Sequence, residues 1–578
     1  MRRARPVAAL ASVAFAIGAI VGAQHGGSAA STLASRFVSA WTRGDYATMY
    51  TDIDPASRHG MTASEFAAVY GQAMRTATAM NLEVTGKPRD GPGGLVSVPV
   101  RVRTRLFGTL ALDAQLRIVS GAEGGDTIAW SPSLAFPGMR SGETLSRQTT
   151  LPRRATLLAR DGSVLAEGSA SSAGPRTSPR GASASAVVGE VGPIPSSRRP
   201  ALEAQGVPSD AIVGVSGLER ALDERLRGTP GGELLAGRRV LASTGSHAAS
   251  AARTTVSPAV QRAAVTALGG QLGGIVAMAP SSGQILAVAG IGLDSLQPPG
   301  STFKMITLTG VLEAGIANPH SVFPYATYAT LDGVKLHNAN GEECGGSLEL
   351  AFAVSCNSVF APLGAKLGAP RLVATAERFG FNHDPGIEGA AESSLPAASA
   401  IQGELDAGST AIGQGQVQAS ALEMAIVAAS IADGGRRPQP AFTPGPPGTG
   451  TQATSAAVAR TVRRLMIGVV RNGTGTSAAI PGVVVAGKTG TAELKTKSSC
   501  PPSSEASSAE SGQGGSNPES CGPAQNEASN TDAWFAAFAP ALHPRIAVGV
   551  LLVKDGAGGA TAAPVARQVL EAGLQASH

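Results

Sequence analysis

Ser301-Thr302-Phe303-Lys304 follows Pro298-Pro299-Gly300 and places a hydroxyl and an amine one helical turn apart, just past a helix-start signal. Residues at i and i+3 share a helix face, so the Lys304 amine can reach the Ser301 hydroxyl and, once desolvated, accept its proton near neutral pH. A serine becomes a nucleophile in this way without a histidine. Alone the S-x-x-K spacing is weak, because it recurs by chance as an exposed serine and lysine on a helix. Two further motifs follow in the order this chemistry needs, Ser355-Cys356-Asn357 and Lys488-Thr489-Gly490-Thr491. Standing alone, Ser355 and Asn357 suit a helix cap; between the other two motifs they read as functional.

The lysine of the third motif has a rival reading. Gly482 to Thr489 matches the P-loop pattern G-x-x-x-x-G-K-[ST] letter for letter, which would make the chain a nucleotide-binding protein. A P-loop needs its strand before the first glycine and a helix straight after the Ser/Thr. Here the β-branched Val483-Val484-Val485 lies between the glycines, where it predicts a strand, and Gly490 follows at once.

The set S-x-x-K, S-x-N, K-T-G resembles the signature of the penicillin-binding proteins and serine β-lactamases. The words around it, Gly413-Gln414-Gly415-Gln416, Leu422-Glu423-Met424-Ala425, Asn472-Gly473-Thr474-Gly475-Thr476, Lys488-Thr489-Gly490-Thr491-Ala492-Glu493 and Asp532-Ala533-Trp534-Phe535, narrow the resemblance to class B penicillin-binding proteins, the monofunctional peptidoglycan D,D-transpeptidases. That resemblance implies Ser301 as nucleophile, Lys304 as base, Ser355 as proton carrier, Asn357 on the donor's backbone and Lys488 as the charge that lowers the neighbouring amine's pKa. It further implies that Thr489, Gly490 and Thr491 bind the substrate, Thr489 and Thr491 through its carboxylate, and that the backbone amides of Ser301 and Thr491 form an oxyanion hole. The expected activity is crosslinking of stem peptides through a serine acyl-enzyme, with β-lactams as inhibitors and no cofactor or metal. A D,D-carboxypeptidase and a β-lactamase-like hydrolase are alternatives within the superfamily; a β-lactam-sensing receptor would need a cytoplasmic signalling segment, for which only Met1 to Arg5 is available.

At 578 residues the chain predicts three or four domains. A net charge of +5, without a basic stripe interleaved with aromatics, gives no argument for nucleic acid. Three arginines precede the uncharged run Pro6 to Ala23, so residues 1–30 read as a cytoplasmic stub and a single-pass anchor that leaves the rest extracytoplasmic at the cell membrane; Val21-Gly22-Ala23 keeps a cleaved signal peptide open. Class B relatives imply a polytopic membrane glycosyltransferase as partner.

The fold class expected is multidomain α+β. A helix from a capping Ser31, with Leu33, Phe37 and Trp41 at a spacing of four, precedes a hairpin of alternating Val96 to Val102 and Leu110 to Ile118; residues 31–145 resemble an NTF2-like domain. Residues 146–254 resemble the β-rich pedestal, or dimerisation, domain: a hairpin turns at Asp161-Gly162, Ser169 to Ser185 reads as mobile, and Gly217 to Leu226 reads as one helix. Residues 255–578 would be the transpeptidase domain, an antiparallel sheet with flanking helices and a helical subdomain, its strand order differing from chain order. An extracytoplasmic site permits disulfides. Cys500 and Cys521 bracket a polar insertion and are expected to pair; Cys344 and Cys356 are a second candidate pair, with a small buried thiol at Cys356 as the alternative.

Overall fold

The computed structural model describes residues 28–120, 125–168, 170, 173–446, 448, 450–493 and 530–576. The expected anchor and the Cys500–Cys521 pair lie outside the described residues. Among the described residues no helix is long and apolar enough to cross a membrane. Two compact units form: one from residues 28–152 with Pro195–Ser209 and Thr229–His247, the other from Arg153–Ile194, Asp210–Gly228 and 248–576.

In the first unit the helix Ala29–Thr42 lays Leu33, Phe37 and Trp41 against the sheet. It starts three residues earlier than expected because Ser28, not Ser31, is the cap: the Ser28 hydroxyl accepts from the Ser31 amide at 3.0 Å. The hairpin Leu95–Thr104 with Thr109–Ser120 pairs in register Val96↔Leu116 to Val102↔Leu110, so Val96, Val98, Val100 and Val102 all point into one core. Trp41 and Tyr70 close that core edge to face, ring centroids 5.0 Å apart.

The second unit opens on Leu157–Leu158 and Val164–Ala166, paired across the Asp161-Gly162 turn. Part of the stretch read as mobile is ordered: Ala182–Val188 is a helix that buries Ala184, Val187 and Val188. The helix expected over Gly217 to Leu226 breaks at Leu222 into Gly217–Ala221 and Asp223–Arg227. The break brings Asp223 onto the Gly214 amide at 2.8 Å while Glu219 and Asp223 both reach Arg154, at 2.6 and 2.8 Å. Arg176 joins Glu219 and Arg227 joins Asp223, each at 2.8 Å, and every one of these five side chains is at most 4% exposed.

The remainder is a sheet between helices. Strands β1 (Gly273–Met278), β2 (Ile285–Gly290), β3 (Ala486–Glu493), β4 (Thr531–Ala539) and β5 (Ile546–Leu552) run antiparallel in the order β2-β1-β5-β4-β3. Helices α1 (Pro258–Leu268) and α7 (Ala562–Gln575) cover one face. The other face carries α5 (Ala421–Ala432), buried on every side. Between β2 and β3 the chain also forms α2 (Lys304–Glu313), α3 (Leu348–Ala353), α4 (Asn357–Leu367) and α6 (Ala456–Asn472). The apolar helix α5 lies directly on β5 because Gly549 has no side chain; a Cβ there would stand 2.2 Å from the Ala421 carbonyl oxygen. Strand β3 begins at Ala486, after the valine run expected to form it. Gly482 turns the chain at φ +73° and leaves Val484 41% exposed, and only at Ala486 does pairing with β4 begin.

Breaking a buried ion pair on one side strands the other charge, at a cost of about 3–5 kcal/mol. Glu219→Ala removes a partner from both Arg154 and Arg176 and should lower unfolding stability by that order in urea titration. Arg567→Ala, which breaks the solvent-facing pair with Glu571, should cost less than about 1 kcal/mol.

Candidate active site

The segment that carries Ser301 is a single 3-10 turn, Gly300–Phe303, running straight into α2. Its first residue fits only as glycine: φ is +51°, and a Cβ would lie 2.8 Å from the Thr491 carbonyl oxygen. Gly413 holds the turn from behind, its carbonyl accepting the Gly300 amide at 3.0 Å. The turn therefore sits against the edge strand β3. Gly490 lies in the same contact, 2.7 Å from the Pro299 carbonyl oxygen at its would-be Cβ.

Lys304 is fully buried at the start of α2. Its amine donates to the Ser355 carbonyl and to Asn357 Oδ1, both at 2.7 Å, and lies 3.5 Å from Ser355 Oγ. Those partners, rather than Ser301, take its hydrogen bonds. Two N–H groups of a neutral amine satisfy the two short acceptors and leave a lone pair over. Burial, helped by the charge of Lys488, pushes the Lys304 amine well below its ordinary pKa. Lys488 is buried as deeply in β3; it donates to Ser355 Oγ at 2.8 Å and to the Thr489 carbonyl at 3.0 Å, and burial lowers its pKa to about 7. The rings of Phe360 and Phe352 lie 5.6 and 5.5 Å from the two amines and desolvate them while offering π-faces.

Neither the Ser355 nor the Asn357 side chain caps a helix, but the Ser355 backbone closes α3: its amide donates to the Phe352 carbonyl at 3.2 Å and the Cys356 amide to the Ala351 carbonyl at 2.8 Å. Ser355 links α3 to α4 with φ +62°, a left-handed conformation that costs a non-glycine residue of order 1 kcal/mol or more. That conformation turns its carbonyl to one lysine and its hydroxyl to the other. Cys356 is bonded to Cys344, so the middle residue of the motif is tied to the strand Cys344–Ser347. Asn357 bridges: Oδ1 accepts from Lys304 and Nδ2 donates to the His337 carbonyl at 2.9 Å. Sequence reasoning passed over Asn338, which brackets the same segment by accepting the Ser358 amide at 2.8 Å and donating to the Ala326 and Glu342 carbonyls. No motif letter marks it. Thr474, quoted above only as part of a resemblance, shares a 2.6 Å hydrogen bond with Thr489.

Thr489 and Thr491 lie on β3 beside the turn, and Gly487-Lys488-Thr489-Gly490 is the interior of that strand, which Thr491 to Glu493 continue in place of a helix. The letters of a P-loop are present without its geometry. Among the described residues no cluster of His, Cys, Asp and Glu could hold a metal ion.

Residues 273–571 match the penicillin binding protein transpeptidase domain, more than half of the chain. The chain belongs to the penicillin-binding protein family. Residues 29–143 match an NTF2-like N-terminal transpeptidase domain and residues 170–240 a penicillin-binding protein dimerisation domain, which together make it a class B member. It is similar to the peptidoglycan D,D-transpeptidase PbpA of Mycolicibacterium smegmatis, with 32% identity over 428 residues, covering 62% of this chain and 80% of the relative. Among solved structures it resembles the D,D-transpeptidase domain of a peptidoglycan glycosyltransferase from Eggerthella lenta, at 30% identity and TM-score 0.55, covering 74% of this chain and 99% of that one. The penicillin G acyl-enzyme of penicillin-binding protein A from Mycobacterium tuberculosis is similar at 27% identity and TM-score 0.54, covering 73% of this chain and 100% of that one.

Depressed lysine pKa values leave a stability signature. An unfolded Lys488 titrates near 10.5 and the folded one near 7, so between those pH values the unfolded chain binds more protons and stability rises with pH. One such group contributes up to about 1.4 kcal/mol per pH unit. Urea unfolding between pH 7.5 and 9.5 should show this rise, and Lys488→Met should reduce it while Lys304 keeps its own share; an unchanged slope would mean that the Lys488 amine is not a source.

Proposed function

We propose that this penicillin-binding protein is a peptidoglycan D,D-transpeptidase that acts through an acyl-enzyme on Ser301. The observation that carries the reading is the Lys304 amine, buried, held by two 2.7 Å acceptors and depressed in pKa, one turn from the serine. Lys304 takes the Ser301 proton as the hydroxyl attacks the carbonyl between the two terminal D-alanines. Ser355 Oγ, 3.5 Å from that amine and 2.8 Å from Lys488, hands the proton to the departing amine, so one D-alanine leaves and the acyl group stays on Ser301. Lys488 keeps the neighbouring amine neutral and, with Thr489 and Thr491, draws the substrate carboxylate. Asn357 hydrogen-bonds the donor backbone, and the amides of Ser301 and Thr491 stabilise the oxyanion, a contribution of roughly 3 kcal/mol in such sites. An acceptor amine on a second stem peptide then displaces the serine.

Around this centre we infer an anchor within residues 1–30, an NTF2-like spacer over 31–145, a pedestal over 146–254 and a transpeptidase domain over 255–578, with the catalytic domain outside the cytoplasm and a polytopic glycosyltransferase supplying glycan strands. The family matches at 29–143, 170–240 and 273–571 support that division.

Intact-mass analysis after exposure to a labelled penicillin should show one adduct, mapping to Ser301 and lost in Ser301→Ala. Lys304→Ala should slow acylation by roughly two to four orders of magnitude. The adduct should persist for many minutes, since a transpeptidase excludes water from its acyl-enzyme; rapid turnover would make the protein a β-lactamase, and D-alanine release with no amine-acceptor product a carboxypeptidase.

A further inference from the structure

The crosslinking reaction demands more of the cleft than its carboxylate end provides. Forming an amide from a donor carbonyl requires an acceptor amine, so every stem peptide able to serve as acceptor carries one, and a donor strand of the same composition carries it too. Near neutral pH that amine is an ammonium. The charge of Lys488 makes the inner cleft hostile to it.

Glu493 ends β3 two residues beyond Thr491 and therefore shares its face, about 7 Å farther along the strand. The nucleophile turn comes close to this end: a Cβ on Gly300 would be 3.2 Å from the Ala492 amide nitrogen. His337 lies in the segment that also positions Asn357, its carbonyl accepting Asn357 Nδ2 and its ring 5.4 Å from that of Tyr328. Lys335 on the same hairpin is drawn away, its ammonium 4.3 Å over the Tyr328 ring. Among the described residues neither a lysine nor an arginine pairs with Glu493. Partial desolvation raises its carboxyl pKa, and the charge of His337 pulls it back.

We propose that Glu493 forms a subsite for a side-chain ammonium of the stem peptide, at the end of the cleft away from the carboxylate-binding Lys488 and Thr489. This rests on the transpeptidase reading and adds to it a specificity-determining residue. A cleft cationic at one end and anionic at the other fixes which way a stem peptide lies along β3, since a reversed peptide would set ammonium against lysine and carboxylate against glutamate.

The test uses the full-length enzyme and synthetic stem peptides that differ only in whether the side-chain amine is free or acetylated. In the natural enzyme Ser301 should be acylated by the free-amine donor with the higher kcat/KM. Glu493→Gln should lower the free-to-acetylated ratio roughly tenfold, as loss of a charge-assisted hydrogen bond does, and Glu493→Lys should invert it. If the subsite instead takes the acceptor strand, the donor ratio stays constant and the acceptor's KM rises by about the same factor in Glu493→Gln. Donor ratio and acceptor KM both within twofold of the natural enzyme, in variants that still form the penicillin adduct at Ser301, would overturn the subsite and leave the transpeptidase reading standing. Absence of the adduct from the natural enzyme would instead sink that reading.

Discussion

Two amines buried around one serine hydroxyl are the constraint on which the rest of the site depends. Lys304 Nζ and Lys488 Nζ stand 3.5 and 2.8 Å from Ser355 Oγ, out of water and against two phenylalanine rings. Two ammonium ions cannot share such a volume without large desolvation and repulsion. The low-energy arrangement keeps one amine neutral, and Lys304 is the one held down by burial and by the other's charge. Burial and that charge together leave Lys304 an amine able to accept a proton. This arrangement explains why Ser355 is kept in a left-handed conformation: φ +62° gives its carbonyl to Lys304 and its hydroxyl to Lys488 at once.

Holding that conformation falls to residues that take no part in proton transfer. The Cys344–Cys356 bond fixes the residue after Ser355, and Asn338 with Ser358 fixes the start of α4. On the facing side, Gly300, Gly413 and Gly490 let three backbones approach closer than any side chain permits, so the serine turn rests against β3. The site is built where an edge strand, a helix start and a strained helix junction meet, and each brings one motif.

Much of this was legible in the sequence because each motif pairs a chemical group with a local backbone requirement. Pro298-Pro299-Gly300 before Ser301 announces the turn, and alternation over Val96 to Val102 announces the hairpin together with its inward face. What could not be read depended on contacts distant in the chain. Asn338 looks like any loop asparagine until the fold brings Ser358 to it. The valines before Gly487 have strand propensity, yet the strand starts at Ala486, since register with β4 and not propensity decides where pairing begins. The single helix read over Gly217 to Leu226 fails for a related reason: the periodicity is genuine, but the break at Leu222 lets two carboxylates converge on Arg154.

The P-loop letters at Gly482 to Thr489 show where pattern stops and physics begins. A phosphate cradle and the wall of an acyl-transfer cleft both use glycine to admit a ligand close to the backbone and lysine to attract its negative charge. In a P-loop the amides curl round the anion ahead of a helix. Here the same letters lie extended along an edge strand, where Gly490 meets the Ser301 turn and Lys488 points inward to Ser355. What separates the two is whether the backbone curves, and that is settled by eight residues of pairing with β4, from Ala486↔Phe538 to Glu493↔Thr531. Pairing with β4 on one side leaves β3 at the edge of the sheet, the position at which an extended peptide can add to a sheet.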